Sequence, residues 1–514
     1  MRSTQTHELD RPSPDLILPR LLVKRGTEQP DEPYVSEVDG PDYTYGQVLD
    51  RALRLARAMK ELGVIPGDRV ASMIPTSADS VIVAAATSLL GAIHVPVNNA
   101  YVGYILEHAV TLTTPRLLIF QDEFVDRLTE VAISDDQRVI VRGENTYAES
   151  GLLFESLVSG EPLDPASVHQ AGWEDTATLL FTSGTTGPSK AVIIPWYHFY
   201  LSSIRMWQSQ CLDATTRFYC PWPVNHITGA GAVYAMALLG GALIVRRRWS
   251  TSNFVKDVRQ YRCTLSDLMA EMVYYFERMD GVEDTPLTHL FVAPVTEGLG
   301  PLADRLGIVY CTNYNSTETN SPIGSAGYEP VPVGSVGALR PGVDIRIVDE
   351  QGADVPDGSC GELLIKPDDP FAMNAGYWGM PEATAEAWRG GWFHTGDLLR
   401  VDDDGYFYFA GRLKDRIRVR GENVSPDEVE AVFRDRADVA QCSVVGRALP
   451  EGEDEIVMFV VPAGDGFDVD DAKAFCEIKL PKFMRPARYV ITDSLPMTPT
   501  GKVQRAELRA SLER

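Results

Sequence analysis

Lysine is scarce in this chain, ten in 514 residues, and its 47 basic residues are outnumbered by 72 acidic ones, a formal net charge of −25. Nucleic acid and anionic membrane reward basic surfaces through counterion release, so this balance excludes both as expected partners. A polyanion such as a nucleotide would also be repelled at long range, and any site for one must rest on local cations. The seven cysteines, at 211, 220, 263, 311, 360, 442 and 476, form no C-x-x-C pair and no alternating Cys/His spacing. That excludes a zinc module or a disulfide framework and favours free thiols in a reducing compartment. The first residues, Met1-Arg2-Ser3-Thr4-Gln5-Thr6-His7-Glu8, lack the apolar core of a signal peptide. The longest apolar run, 81–97, is interrupted by Thr87, Ser88, His94 and Pro96. It is too short to span a bilayer comfortably, and a cytoplasmic location is expected. Internal repeats and low-complexity tracts are absent.

Against this background one stretch is dense in chemistry: Leu180-Phe181-Thr182-Ser183-Gly184-Thr185-Thr186-Gly187-Pro188-Ser189-Lys190, between the apolar runs 178–181 and 191–195. Glycines let backbone N–H groups close on an anion, hydroxyls donate further bonds, and a lysine compensates phosphate charge. Thr182, Ser183, Gly184, Thr185, Thr186, Gly187 and Lys190 are therefore candidates to hold the phosphates of a nucleotide between two strands. The alternative is a solvated hairpin turn. The stretch is not a Walker A loop, because Ser189 precedes the lysine and Ala191 follows it where a magnesium-binding hydroxyl is needed. The nearest dinucleotide-type run, Gly229-Ala230-Gly231-Ala232-Val233-Tyr234, ends in tyrosine and is discounted.

Length and apolar content call for at least two domains. Helical spacing at 45–62 with Gly63 as a stop, a buried strand at 69–74, a helix at 77–93 and strands at 94–97, 117–120 and 242–245 give repeated βα units. The expected fold class is α/β: a large N-terminal domain of doubly wound βα layers, 1–412, with a β-rich subdomain around 330–412. Short extended runs at 345–348, 362–365 and 406–410 mark that subdomain. After Arg412 a strand, a helix at 426–433, strands at 443–445 and 456–461 and a helix at 469–480 predict a small, mobile α+β C-terminal domain, 413–514.

Four more segments complete a set: Tyr314-Asn315-Ser316-Thr317-Glu318, Gly391-Trp392-Phe393-His394-Thr395-Gly396-Asp397, Gly411-Arg412-Leu413-Lys414-Asp415 and Pro499-Thr500-Gly501-Lys502. In this order and at this spread, over roughly 45–510, the chain resembles the adenylate-forming superfamily of acyl-CoA synthetases, peptide-synthetase adenylation domains and luciferases. The resemblance implies two steps. A carboxylate attacks the α-phosphate of ATP to give acyl-AMP and pyrophosphate, and a thiol, that of coenzyme A in an acyl-CoA ligase, then displaces AMP. It also implies roles: Lys502 bridges carboxylate and α-phosphate, Thr317 bonds the α-phosphate, Glu318 binds Mg2+, Tyr314 stacks on adenine, and Asp397 with Arg412 holds the ribose. Lys414 falls at the hinge, His226 at the mouth of the acyl pocket, and Gly421 beside the pantetheine tunnel. Read from the residues alone, Thr317-Glu318 is a helix cap, Lys502 a surface lysine in a turn and His226 a core histidine.

Arg416, Arg418 and Arg420 alternate, so a strand there puts them on one face, either to bind CoA phosphates or to guard a sheet edge. Two departures from the superfamily pattern stand out. Asn315 replaces a glycine but can still adopt a left-handed backbone. Phe291-Val292-Ala293 replaces a Gly-Gly-Ala run that lines the acyl pocket, so substrate preference does not transfer. Relatives that activate amino acids carry an aspartate around 224–226 and this chain has none, which argues against an amino acid. The run around Gly421 looks most like carnitine/crotonobetaine-type acyl-CoA ligases. An acid–CoA ligase for a non-amino carboxylic acid is expected, with Trp222 and also Trp207 and Tyr234 as pocket residues. Alternatives are an enzyme delivering acyl-AMP to a separate carrier protein or transferase, and a non-catalytic nucleotide-binding regulator. A homodimer is compatible with the sequence, which leaves the oligomeric state open.

Overall fold

A computed structural model describes residues 11–144, 152–182, 189–248, 250–415, 417–419, 422–424, 426–433, 436–449, 454–464, 466–480, 482–498 and 502–512. The chain divides into two compact units, Arg2–Asp344 with Lys366–Gly391, and Ile345–Ile365 with Trp392–Arg514. Among the described residues no helix is long and apolar enough to cross a membrane.

The larger unit is built on two seven-stranded sheets of the same plan. The first runs Leu152–Leu153, Arg138–Arg142, Leu117–Gln121, Arg69–Met73, Ile93–Pro96, Thr176–Thr182, Lys190–Pro195, all parallel except the last pair. The second runs Val309–Cys311, His289–Ala293, Leu265–Met269, Arg217–Cys220, Ala242–Val245, Pro33–Glu37, Asp42–Thr44, again with only the last pair antiparallel. Parallel strands covered on both faces read as continuous apolar runs, which is why Leu117-Leu118-Ile119-Phe120 is buried throughout. Leu117 and Ile119 join one core and Leu118 and Phe120 the other.

The helix Tyr45–Glu61 starts on a Thr44–Gln47 capping box and ends before Gly63 at φ 89°, a left-handed position that favours glycine. The helix Ala78–Leu89 starts on a Ser77–Ser80 box. It stops short of the expected residue 93, because Gly91 at φ 69° turns the chain and Ile93 already belongs to the next strand. Both helices, with Leu18–Glu28, Trp196–Met206 and Ile227–Leu239, contribute to the core that also takes side chains from both sheets.

In the smaller unit residues 361–365 pair antiparallel with the strand Phe393–Val401, which pairs antiparallel with Tyr406–Arg412. Val439–Ala448 and Asp454–Pro462 form a hairpin, with Arg488–Ile491 parallel to the second strand. The expected strand at 443–445 is the buried centre of a ten-residue strand whose ends are more exposed. Val444, Met458 and Val460 face the helices Pro426–Phe433 and Val469–Lys479, whereas Val445, Val457 and Phe459 face Leu508 of Arg505–Leu512. Arg505 donates to Asp427 at 2.9 Å and Glu430 at 2.7 Å. None of the seven cysteines is disulfide-bonded.

Candidate functional site

The Ser/Thr/Gly segment joins two antiparallel strands, in register Thr182 opposite Lys190. Ser183, Gly184, Thr185, Thr186 and Gly187 lie outside the described residues. At the loop's far end, Tyr101 donates to Ser189 Oγ at 3.3 Å and His108 Nε2 lies 2.9 Å from the Ser189 carbonyl. Lys190 extends over the ring of Tyr377, its Nζ 4.5 Å from the centroid.

Tyr377 also reaches the second motif. Its hydroxyl donates to Glu318 Oε1 at 3.3 Å, and Asn374 donates from its side chain to the Glu318 carbonyl at 2.9 Å. A cation on the ring face and a carboxylate at the hydroxyl are both favourable contacts for a tyrosine. Burial, and then the Glu318 charge, push the Tyr377 phenol well above its usual range, so it stays a donor. Thr317 and Glu318 sit in a turn rather than at a helix start; Ser316 N–H donates to Thr319 Oγ1 at 2.9 Å. Asn315 does not take the left-handed conformation open to it. That geometry falls at Ser321, φ 55°, whose N–H donates to Asn315 Oδ1 at 3.1 Å, so the side chain replaces the glycine's freedom with a bond across the turn. Tyr314, on the strand Asn313–Tyr314, is buried.

Tyr377 carries no motif in the sequence. Its only local mark is an aromatic after Gly376, whose φ of 99° aims the next residue, and pairing with Glu318 joins positions 59 apart. One carboxylate plus substrate phosphates is the donor set Mg2+ ordinarily takes, and Glu318 fits that role. Among the described residues no cluster of three or more His, Cys, Asp or Glu is placed to hold a metal.

In the smaller unit Asp397 and Arg412 are paired in register on adjacent strands, Arg412 Nε 2.7 Å from Asp397 Oδ1. Asp397 is 2% exposed. Gly396, φ 68°, turns the strand there, and Thr395 Oγ1 accepts from Asp397 N–H at 3.0 Å. Lys414 lies in the single turn Leu413–Asp415 that follows Arg412. Thr498 N–H donates to the Lys502 carbonyl at 2.7 Å and Lys502 N–H to Thr498 Oγ1 at 3.0 Å, closing a loop that holds Lys502 at the surface. Ile417–Val419 is a strand paired with Glu422–Val424; Arg416, Arg420 and Gly421 lie outside the described residues, as does the Arg418 side chain.

His226 caps the helix Ile227–Leu239, its Nδ1 accepting from Thr228 N–H at 3.3 Å. Trp222, four residues earlier, is half-buried. Of the run Phe291–Ala293, Phe291 packs toward the Trp222 side, while Val292 is wholly buried in the core on the opposite face. The strand alternates, so Val292 cannot share a pocket with its neighbours. Trp207 and Tyr234 are also fully buried, and Tyr234 donates to the Leu16 carbonyl at 2.6 Å, so both are core residues rather than pocket lining.

Residues 22–378 match the family described as AMP-binding enzyme, and residues 428–502 its C-terminal domain. The chain belongs to the AMP-binding enzyme family. Feruloyl-CoA synthase from an Amycolatopsis species is 30% identical over 479 residues, 91% of this chain and 94% of that one. The fatty acid–[acyl-carrier-protein] ligase ScoC of Streptomyces coeruleorubidus is 30% identical over 495 residues, 92% of each. The anthranilate CoA ligase AuaEII, solved with anthranoyl-AMP, superposes with a TM-score of 0.85 at 23% identity, covering 96% of this chain and 97% of that one, a likeness of fold. The AMP-binding family thus accounts for the α/β architecture with its small α+β module.

If Asp397 accepts the ribose hydroxyls, as the resemblance implies, Asp397→Ala is expected to raise the KM for ATP strongly. A buried carboxylate that accepts both ribose hydroxyls contributes about 1.5–3 kcal/mol through charge-assisted bonds. On that role the KM for the acid is expected to stay within about twofold. Steady-state pyrophosphate release against each substrate checks this, and an unchanged ATP dependence removes Asp397 from the ribose.

Proposed function

We propose that this AMP-binding enzyme is an acid–CoA ligase that converts a non-amino carboxylic acid and ATP to acyl-AMP and pyrophosphate, then passes the acyl group to coenzyme A. The observation that supports it most directly is the line Lys190–Tyr377–Glu318, which joins the phosphate-loop lysine to the magnesium carboxylate through one tyrosine. An already anionic carboxylate needs no general base to attack the α-phosphate, so catalysis rests on neutralising charge and aligning atoms. Lys190 and the Ser/Thr/Gly loop take the phosphates, Thr317 the α-phosphate, Tyr314 the adenine, and Asp397 with Arg412 the ribose. Bound through Glu318, Mg2+ neutralises phosphate charge. Lys502 brings acid and α-phosphate together. His226, Trp222, Phe291 and Ala293 border the acid, and Gly421 with Arg416, Arg418 and Arg420 serves CoA.

The functional division runs at 412/413, with Lys414 as hinge between a nucleotide- and acid-binding part and a C-terminal part that changes role between the two steps. A second reading keeps the adenylation and changes the acceptor to the thiol of a carrier protein; the ScoC relative, named for that acceptor, favours it. A panel of acids assayed for pyrophosphate release with and without CoA decides between them. The ligase is expected to give about one turnover without CoA and continuous release with it, together with a CoA thioester. Acyl-AMP that accumulates in the presence of CoA, with no thioester, moves the assignment to the carrier-protein acceptor.

A further inference from the structure

Asp267 takes no part in the chemistry above, yet its side chain is wholly buried. One carboxylate oxygen accepts the indole N–H of Trp207 at 2.7 Å and the other that of Trp222 at 2.8 Å. Asp267 pairs in register with Phe291, and Phe291 with Cys311, so these residues share one face of the second sheet. An aspartate is seldom buried without a cation, and two apolar residues of the same shape would remove the desolvation penalty altogether. The titratable groups that face it are Cys220, Cys311 and Tyr328, each kept neutral by burial, with Arg340 facing Cys311. A charge retained at such cost, with both oxygens on indoles, points to the indoles as its purpose.

The two tryptophans differ. Trp207 lies inside the core, edge-on to Phe218 with centroids 5.0 Å apart, and its carbonyl accepts from Tyr328 at 2.8 Å. It needs no further anchor. Trp222 is half-buried and follows directly on the strand Arg217–Cys220, outside the carboxyl end of a parallel sheet, where α/β folds take their ligands. It stands on the same side as half-buried Phe291 and four residues before His226.

We propose that Asp267 is a positioning residue that locks Trp222 as a fixed, flat wall of the acyl pocket, so that the enzyme favours acids with a planar ring or conjugated chain over flexible saturated ones. The inference rests on the ligase reading above. A planar acid stacks on an indole that cannot turn away, whereas a saturated chain gives up rotamer freedom against a wall that does not adapt to it. Burial pushes the Asp267 carboxyl up to about 7. Ionised, it accepts from both indoles with a full charge; protonated, it loses that charge and one oxygen carries the proton, so the bond to that indole weakens. The lock is therefore strongest above that pH and loosens as pH falls through it.

The test uses full-length protein, Asp267→Asn and Trp222→Phe, with cinnamate and octanoate as the planar and saturated acids. In wild type the KM for cinnamate is expected to rise about threefold or more between about pH 8 and about pH 6, with the KM for ATP unchanged. Asp267→Asn is expected to raise the KM for cinnamate about tenfold at the higher pH, leave octanoate within about twofold, and abolish the pH dependence. Indole N–H resonances of protein labelled with 15N-tryptophan, assigned with Trp222→Phe and Trp207→Phe, report the lock without any activity. Both should titrate together near pH 7 in wild type and not in Asp267→Asn. Indole N–H resonances that Asp267→Asn leaves unshifted overturn the lock, and equal effects of Asp267→Asn on the two acids overturn the preference. If wild type adenylates neither acid, the preference for planar acids is overturned together with that use of the site, and the resonances alone still decide the lock.

Discussion

Lys502→Ala is expected to lower acyl-AMP formation by about 10²–10³-fold, the range found when one group that stabilises transition-state charge is removed. Two anions, a carboxylate and an α-phosphate, must approach within bonding distance in a chain whose formal charge is −25. The field of the whole protein opposes that encounter, so a local cation carries more of the work than it would in a basic enzyme. Lys502 is suited to it by its place: the Thr498 and Lys502 backbone bonds close a short loop that presents the lysine at the surface rather than in a core. Conversion of supplied acyl-AMP to thioester is expected to fall by no more than about threefold, because AMP leaves without needing that charge. Single-turnover assays of the two half-reactions separate the outcomes. An equal loss of both, in a variant with unchanged circular dichroism, removes Lys502 from the adenylation step.

Lys414→Pro is expected to act in the opposite sense, leaving adenylation within about threefold and cutting thioester formation about tenfold or more, so that acyl-AMP accumulates. Lys414 lies in the one turn, Leu413–Asp415, between the strand ending at Arg412 and the module that follows. Proline fixes its φ near one value and restricts the residue before it, so the backbone at this point can no longer move between two arrangements. Next to it Asp415 is bonded by Arg509 and lies 3.7 Å from Arg505, which ties the turn's end to the helix Arg505–Leu512. The proposed rotation is therefore expected to concentrate in the residues just before Asp415. Lys414→Ala, which removes the charge and keeps the backbone free, is expected to retain both half-reactions. If Lys414→Ala loses thioester formation as fully as Lys414→Pro, side-chain chemistry rather than backbone freedom is what the position supplies.

Legibility followed range. The helix 45–61, the buried strands and the helix 426–433 could be read because apolar spacing and caps act within a few residues of one another. The motif order also lies in the sequence, and with it the family. Three features of the candidate site did not. Val292 sits between two residues of the expected pocket wall, and only its place in the opposite core shows that the wall skips it. The left-handed residue near the second motif is Ser321 and not Asn315, because the Asn315 side chain bonds across the turn. A reading that treats aspartates near 224–226 as the ones bearing on the substrate overlooks Asp267, which arrives from another strand.

The sequence by itself thus determined the α/β architecture, the set of motif residues and the acidic background against which any nucleotide must bind. Tertiary structure alone decided that Tyr377 stands between Lys190 and Glu318, and that Asp267 joins Trp207 and Trp222. These bonds span 59, 60 and 45 residues. Local propensity fades over a turn or two, while contacts at such separations are set by which strands lie side by side in a sheet, and strand order is a property of the packed chain.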